Sequence, residues 1–178
     1  MLFNARVNLE AYVIVVRRIQ QGEFPLYRSI RLESLLDSPS AFSANYEEAL
    51  NRTEESWRSQ CDSLALAADK CSFIAFDGDA AIGISSLYKT SSSEGDIELM
   101  QVWVSPAYRG QGVAGQIFKA LEMWAKEHGF VNLFLRSKSD NAIANAYYKK
   151  IGFVIKDVSD GEYYMEKVIA DLPANYVS

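Results

Sequence analysis

Between Ile97 and His128 the spacing of apolar residues changes, and that change restricts the fold more than any other feature of the chain. Ile97 to Val104 is an alternating run that ends at Ser105-Pro106. Arg109-Gly110-Gln111-Gly112-Val113-Ala114 follows. Beyond it, Val113, Ile117, Ala120, Leu121, Trp124 and His128 fall three or four residues apart. A period of two followed by a period of 3.6 predicts a strand, a glycine-rich turn and a helix. A helix that starts at such a turn has backbone N–H groups without intrahelical partners, and the positive end of its dipole lies there. That arrangement attracts an anion, most often a phosphate. Gly110 and Gly112 allow close backbone approach and dihedral angles that other residues resist. Arg109 adds a cation at the rim. The loop is not a Walker loop, because no Gly-Lys-Ser/Thr follows it. The dinucleotide fingerprint G-x-G-x-x-G is also missing.

The rest of the chain narrows the function classes. A length of 178 residues suits a single domain over residues 1–178 with a sizeable core. A net charge of −5 leaves no basic stripe for nucleic acid. Cys61 and Cys71 form no CxxC, and with one histidine in the chain no metal site is expected. Two free thiols fit a reducing compartment better than a disulfide, so a cytoplasmic location is expected. The apolar run Ala11 to Val16 is closed by Arg17 and Arg18 with no A-x-A after it. It therefore reads as neither a signal peptide nor a membrane span.

In order, the chain predicts a strand over Tyr12–Val16, a turn from Arg17 to Gly22, and a helix from Phe24 to about Asp37-Ser38-Pro39. Helical pieces follow at Asn45–Leu50 and from Thr53, an N-cap ahead of two acids. Arg28, Arg31, Tyr46 and Trp57 belong to this stretch and could line a substrate wall, with surface or core packing the default reading for each. Ser72–Phe76 and Ala80–Leu87 make a hairpin across Asp77-Gly78-Asp79. Ser91 to Gly95 is a polar turn leading into the strand Asp96–Val104. The helix Val113–His128 ends at Gly129. A strand Val131–Leu135 comes next, then a helix Asn141–Lys150 capped by Ser139 or Asp140. A closing hairpin, Phe153–Ile155 with Tyr163–Val168, turns across Ser159-Asp160-Gly161. The tail Asp171–Ser178 reads as frayed.

Two motifs carry a resemblance. Arg-x-x-Gly-x-Ala, at Arg109, Gly112 and Ala114, follows a strand ending Val-x-Val-x-Pro. It is similar to the pyrophosphate loop of the GNAT (Gcn5-related N-acetyltransferase) superfamily. Asn141 to Phe153 matches that superfamily's N-x-x-A-x-x-x-Y-x-K-x-G-F segment at every named position. The element order resembles the superfamily's over nearly the whole chain. The implied fold is α/β (α+β): a mixed, mostly antiparallel sheet of about seven strands, flanked by four helices and splayed between the fourth and fifth strands. The implied activity is acetyl transfer from acetyl-CoA, as co-substrate, to an amine of a small molecule or protein. Homodimers are common in the superfamily. A non-catalytic acyl-CoA-binding domain is the alternative.

The resemblance implies roles residue by residue. Backbone N–H groups of about Gln111 to Gly115 (Gln111, Gly112, Val113, Ala114, Gly115), with Arg109 and Gly110 beside them, would hold the pyrophosphate. Val102, Trp103 and Val104 would run along the pantetheine arm. A backbone N–H near Val102 or Trp103 would face the thioester oxygen. Asn141 and Tyr148 lie seven residues apart on one helix face, roughly 10 Å at ~1.5 Å per residue, with Ala144 and Asn145 between them. Asn141 would reach the pantetheine or phosphate end. Tyr148 would protonate the leaving thiolate, or else simply pack. Glu98 is the candidate base, sharing its side of the strand with Met100 and Val102 by simple alternation, unless a bulge intervenes. It would otherwise face solvent or pair with a lysine.

Overall fold

The computed structural model describes residues 13–90 and 93–169. Tyr12, Ser91, Ser92 and the tail from Asp171, all part of the sequence expectations, lie outside the described residues. The elements run β1 (Ile14–Arg18), α1 (Phe24–Asp37), α2 (Tyr46–Leu50), α3 (Glu54–Leu66), β2 (Lys70–Asp77), β3 (Ala80–Tyr88), β4 (Asp96–Val104), α4 (Val113–Glu127), β5 (Asn132–Lys138), α5 (Ala142–Lys150), β6 (Val154–Ser159) and β7 (Glu162–Val168). Short 3-10 turns follow α1 and β4. The seven strands form one sheet in the order β1-β2-β3-β4-β5-β7-β6. Every pairing is antiparallel except β4 with β5.

That one parallel pairing is short. β4 and β5 share only the rungs Asp96–Asn132, Ile97–Leu133 and Glu98–Phe134. β5 then continues to Lys138 against β7 alone, and β4 continues to Val104 against β3 alone. The sheet therefore opens in its middle beyond Glu98, where the sequence reading placed the splay. Both strands present main-chain edges to the gap, and unpaired edges of this kind accept an added extended chain.

Helices cover both faces. α4 buries Val113, Ile117, Phe118, Leu121, Trp124 and Ala125 against one face, joined by Leu99, Leu133, Leu135, Phe153 and Met165. Burying each large side chain stabilises by ~1.5–3 kcal/mol, so this stripe fixes the helix against the sheet. Gly83 in β3 makes the contact close. A Cβ there would meet Ile117 Cδ1 at 3.1 Å, the Trp103 carbonyl oxygen at 3.2 Å and Val113 Cγ1 at 3.3 Å. On the other face, Tyr27, Ile30 and Leu35 of α1 pack with Trp57, Cys61 and Leu64 of α3 over Ile74, Ile84 and Trp103.

Several boundaries depart from the sequence expectations. β1 extends through Arg17 and Arg18, which were expected in a turn, because its ladder with β2 runs to the Arg18–Phe73 rung. Arg18 also donates to the Leu64, Ala67 and Lys70 carbonyls. β5 runs three residues beyond Leu135 because Arg136, Ser137 and Lys138 find partners in β7. The cap of α5 is Asn141 itself, not Ser139 or Asp140: its side chain accepts from the Ala144 N–H at 3.2 Å. Thr53 caps α3 through the Ser56 N–H at 3.2 Å, as expected.

Candidate active site

The site forms where three local features meet: the bulge in β4, the start of α4 and the inner face of α5. Gln101 interrupts β4 with φ at +59°. Across from it the register slips, so that Ile84 faces Trp103 while Ser86 faces Met100. One extra residue in the strand turns every later side chain over. Before the bulge, Ile97 and Leu99 face α4; after it, Val102 and Val104 do. Glu98 therefore does not share a side with Val102, which corrects the simple alternation. Polar side chains hold the bulge. Gln101 Oε1 accepts from the Tyr27 hydroxyl at 3.1 Å and from Ser86 Oγ at 2.9 Å.

At the start of α4 the N-cap is Gly112, at φ +82°, with no side-chain cap and no acid in the first turn. The first N–H groups of the helix are therefore left for an outside acceptor. A Cβ built on Gly110 or Gly112 would meet nothing within 4 Å, so the loop is open to a ligand. A Cβ on Gly115 would meet only the Tyr147 hydroxyl, at 3.5 Å. These residues fit a diphosphate: the first turn of α4 carries no side-chain cap and no acid, and open space lies in front of Gly110 and Gly112. Arg109 does not stand free at the rim. Its side chain pairs with Asp37 at the end of α1 and donates from Nε to the Val104 carbonyl at 2.9 Å. The same Asp37 oxygen accepts from Trp103 Nε1 at 2.9 Å. Trp103 itself is buried against α1 and α3, so only its backbone belongs to the candidate cofactor edge.

Glu98 is 7 % exposed and sits on the last shared rung of β4 and β5. Its Oε2 accepts from the Thr90 hydroxyl at 2.5 Å. Tyr148 packs among Phe118, Tyr147 and Phe153. Burial, with Tyr147 beside it, pushes its phenol up to about 12, so the group keeps its proton at any physiological pH. Asn141 spends its side-chain oxygen on the α5 cap, which leaves its amide NH₂ for other partners. Asn145, expected on the cofactor-facing side with Ala144, is buried instead. Its Nδ2 donates to the Lys138 and Ser139 carbonyls at 2.9 and 3.3 Å, tying the end of β5 to α5. His128 is the C-cap of α4 and stacks on Trp124, away from this site.

Sequence reasoning missed Gln101, Tyr27 and Asp37. A glutamine carries no local signal for a left-handed conformation, and the partners of Asp37 lie 66 and 72 residues away. Among the described residues no group of three His, Cys, Asp or Glu side chains could hold a metal ion. No helix among them is long and apolar enough to cross a membrane.

Comparison with known proteins follows the geometry. The uncharacterized N-acetyltransferase YobR of Bacillus subtilis is 30% identical over 84 residues, covering 47% of this chain and 33% of YobR. The aminoglycoside N(6')-acetyltransferase type 1 of Acinetobacter haemolyticus is 28% identical over 67 residues, 38% of this chain and 45% of that protein. The chain thus spans about a third to just over half the length of the curated relatives it matches. Among solved structures, a GNAT-family acetyltransferase from Streptococcus pneumoniae superposes with a TM-score of 0.75 at 17% identity, covering 88% of this chain and 99% of that one. The PaiA N-acetyltransferase of Thermoplasma acidophilum, solved with coenzyme A, gives a TM-score of 0.70 at 18% identity over the same shares. The model of the acetyltransferase (GNAT) family matches residues 32–153, from the middle of α1 past the end of α5, and the chain belongs to that family.

Proposed function

We propose that this chain transfers an acetyl group from acetyl-CoA to an amine of a small molecule or protein, by direct attack with both substrates bound. The observation that carries the reading is the uncapped glycine N-terminus of α4 beside the gap between β4 and β5. Main-chain donors from Gln111 to Gly115 would take the diphosphate, and the free edge of β4 at Val102, Trp103 and Val104 the pantetheine amides. Asn141, the cap of α5, and Ala144, both half-buried, would border the same arm. The bound coenzyme supplies the activated thioester. Holding the two reactants together accounts for much of the acceleration.

Two side chains handle protons. Glu98 accepts the proton of the incoming ammonium group, directly or through water, so that nitrogen can attack the acyl carbon. Tyr148 gives its phenolic proton to the departing sulfur. A phenol held protonated by burial suits donation at neutral pH. The two buried, unpaired thiols fit a reducing cytoplasm, and their raised pKa values make an acyl-enzyme on either cysteine unfavourable. A homodimer is the assembly we assign by family analogy.

The test is calorimetric titration of CoA, followed by thiol release from acetyl-CoA with a panel of amines. Binding plus release is expected. Absence of heat on CoA titration overturns the reading. Tight binding with no release on any amine supports instead a non-catalytic acyl-CoA-binding domain.

A further inference from the structure

Arg31 stands on the sheet-facing side of α1 and is 5% exposed. A buried guanidinium is ordinarily matched by a carboxylate, because an unpaired buried charge is costly. Among the described residues Arg31 has no such partner. There it makes one hydrogen bond, from Nη1 to Ser34 Oγ at 3.0 Å, and its guanidinium lies 5.1 Å from the centre of the Phe42 ring. No salt bridge among the described residues includes it. Burial lowers its affinity for its own proton, and the nearby Arg52 lowers it further. Arg52 also lacks an acidic partner among the described residues: it lies over the Trp57 ring at 3.9 Å and bonds Ser56. Two neighbouring cations thus have no anion among the described residues.

Their position gives them a use. Tyr27, one helical turn before Arg31, holds the β4 bulge through Gln101. Tyr88, whose phenol lies close enough to act on the Arg31 charge, is the rung partner of Glu98. Arg31 therefore sits on the same side of the sheet as the candidate base, behind the bulge. Its Nε and Nη2 edge makes no hydrogen bond among the described residues. That edge is a planar, two-donor fork, matched to a carboxylate.

We infer that the acceptor is an amine that itself carries a carboxylate, of the amino-acid type, with the Arg31 fork binding the carboxylate while the amine faces Glu98. The inference rests on the acetyl-transfer reading above and specifies its substrate class. Arg52, close enough to act on the Arg31 charge, adds positive potential beside it. An evolved binding site accounts for a buried charge that lowers stability in the free protein.

The test compares L-amino acids with their decarboxylated amines, such as phenylalanine with phenethylamine and tryptophan with tryptamine, in a thiol-release assay at saturating acetyl-CoA. At least one carboxylate-bearing amine should exceed its decarboxylated partner in kcat/KM by 100-fold or more. Arg31→Met should shrink that ratio to within about threefold, acting chiefly on KM for the amine, and Arg31→Lys should restore it in part. Arg31→Met should also raise Tm, because it removes the unpaired charge; a purely structural arginine would give a lower Tm. Equal or better use of decarboxylated amines or polyamines overturns the inference, as does a ratio unmoved by Arg31→Met. A second readout is independent of turnover: the Arg31 Nε–H NMR resonance, assigned by its loss in Arg31→Lys, should shift on adding an amino acid and not its decarboxylated amine. CoA binding without that shift for any panel member sinks the inference and spares the acetyl-transfer reading. Failure to bind CoA overturns the acetyl-transfer reading and, with it, the acceptor assignment.

Discussion

The Tyr27 hydroxyl donates to Gln101 Oε1 at 3.1 Å, joining the first helix to the residue that bends the central strand. Gln101 occupies the left-handed region at φ +59°, which costs a non-glycine residue roughly 1–2 kcal/mol. The hydrogen bonds from Tyr27 and Ser86 offset that cost. Replacing Gln101 by Ala keeps the strain and removes the acceptor that Tyr27 and Ser86 share, although Ser86 Oγ still reaches Ser72 Oγ at 2.9 Å. We expect a loss of about 1–3 kcal/mol, or a fall in Tm of roughly 2–4 °C per kcal/mol. Thermal unfolding of Gln101→Ala at the wild-type Tm would show that the bulge does not depend on this contact.

The Tyr148 phenol sits among Phe118, Tyr147 and Phe153, so Tyr148→Phe preserves the packing and removes only the hydroxyl. Turnover should fall by about 10²-fold, the usual scale for loss of a positioned acid, while CoA affinity changes little. Steady-state kinetics paired with calorimetry separate the two effects. Undiminished kcat would remove Tyr148 from the reaction.

Glu98→Gln conserves shape and keeps an acceptor for the Thr90 hydroxyl, but it cannot take up a proton. The rate should drop, and the limb of the pH–rate profile that rises as the base ionises should flatten. A profile superimposable on the wild type assigns Glu98 a structural role.

Two glycines separate ligand binding from folding. At Gly112 a Cβ meets nothing, so Gly112→Ala costs only the left-handed strain of ~1–2 kcal/mol plus any obstruction of the diphosphate. At Gly83 a Cβ meets the Trp103 carbonyl oxygen at 3.2 Å, a backbone atom that cannot swing away. Gly83→Ala should therefore destabilise by ~1–3 kcal/mol through overpacking between β3 and α4. CoA titration should register Gly112→Ala more strongly, and urea unfolding Gly83→Ala. The reverse order would contradict the assigned roles.

Alkaline pH should unfold the protein through its buried acids. Burial raises Cys61 from 9.0 to about 11, and Cys71 from 9.0 to about 12. Tyr148 rises from 10.0 to about 12, and Tyr27 rises as well. Each group holds its proton more tightly folded than unfolded. The stabilisation is complete below about pH 9, then shrinks as pH climbs toward about 12. Urea midpoints should match near pH 7 and pH 8, and decline by about pH 10.5. Replacing both cysteines with alanine should soften that decline; a midpoint constant to about pH 10.5 would refute the account.

The local sequence was enough for elements whose cause is local. The change of period at Val113 placed β4, the loop and α4, because a strand and an amphipathic helix each write their own repeat. Gly78, Gly161 and Gly112 mark turns because few other residues tolerate their backbone angles. Tyr148 and the glycine loop could be named as site candidates because they lie in motifs that resemble the acetyltransferase family's, and Glu98 because it lies on the strand before that loop. Tertiary structure decided whatever depends on a distant partner. Only the slipped register with β3 shows that Gln101 is bulged and that Val102 turns to the α4 side. Only the fold brings Asp37 to Arg109 and Trp103, and turns Asn145 inward to the end of β5. In the sequence Arg31 is one of four residues on a possible substrate wall, with packing the default. What sets it apart appears only when three-dimensional packing buries it beside the bulge with no carboxylate among the described residues, because desolvation is a property of surroundings that the neighbouring residues in the chain do not fix.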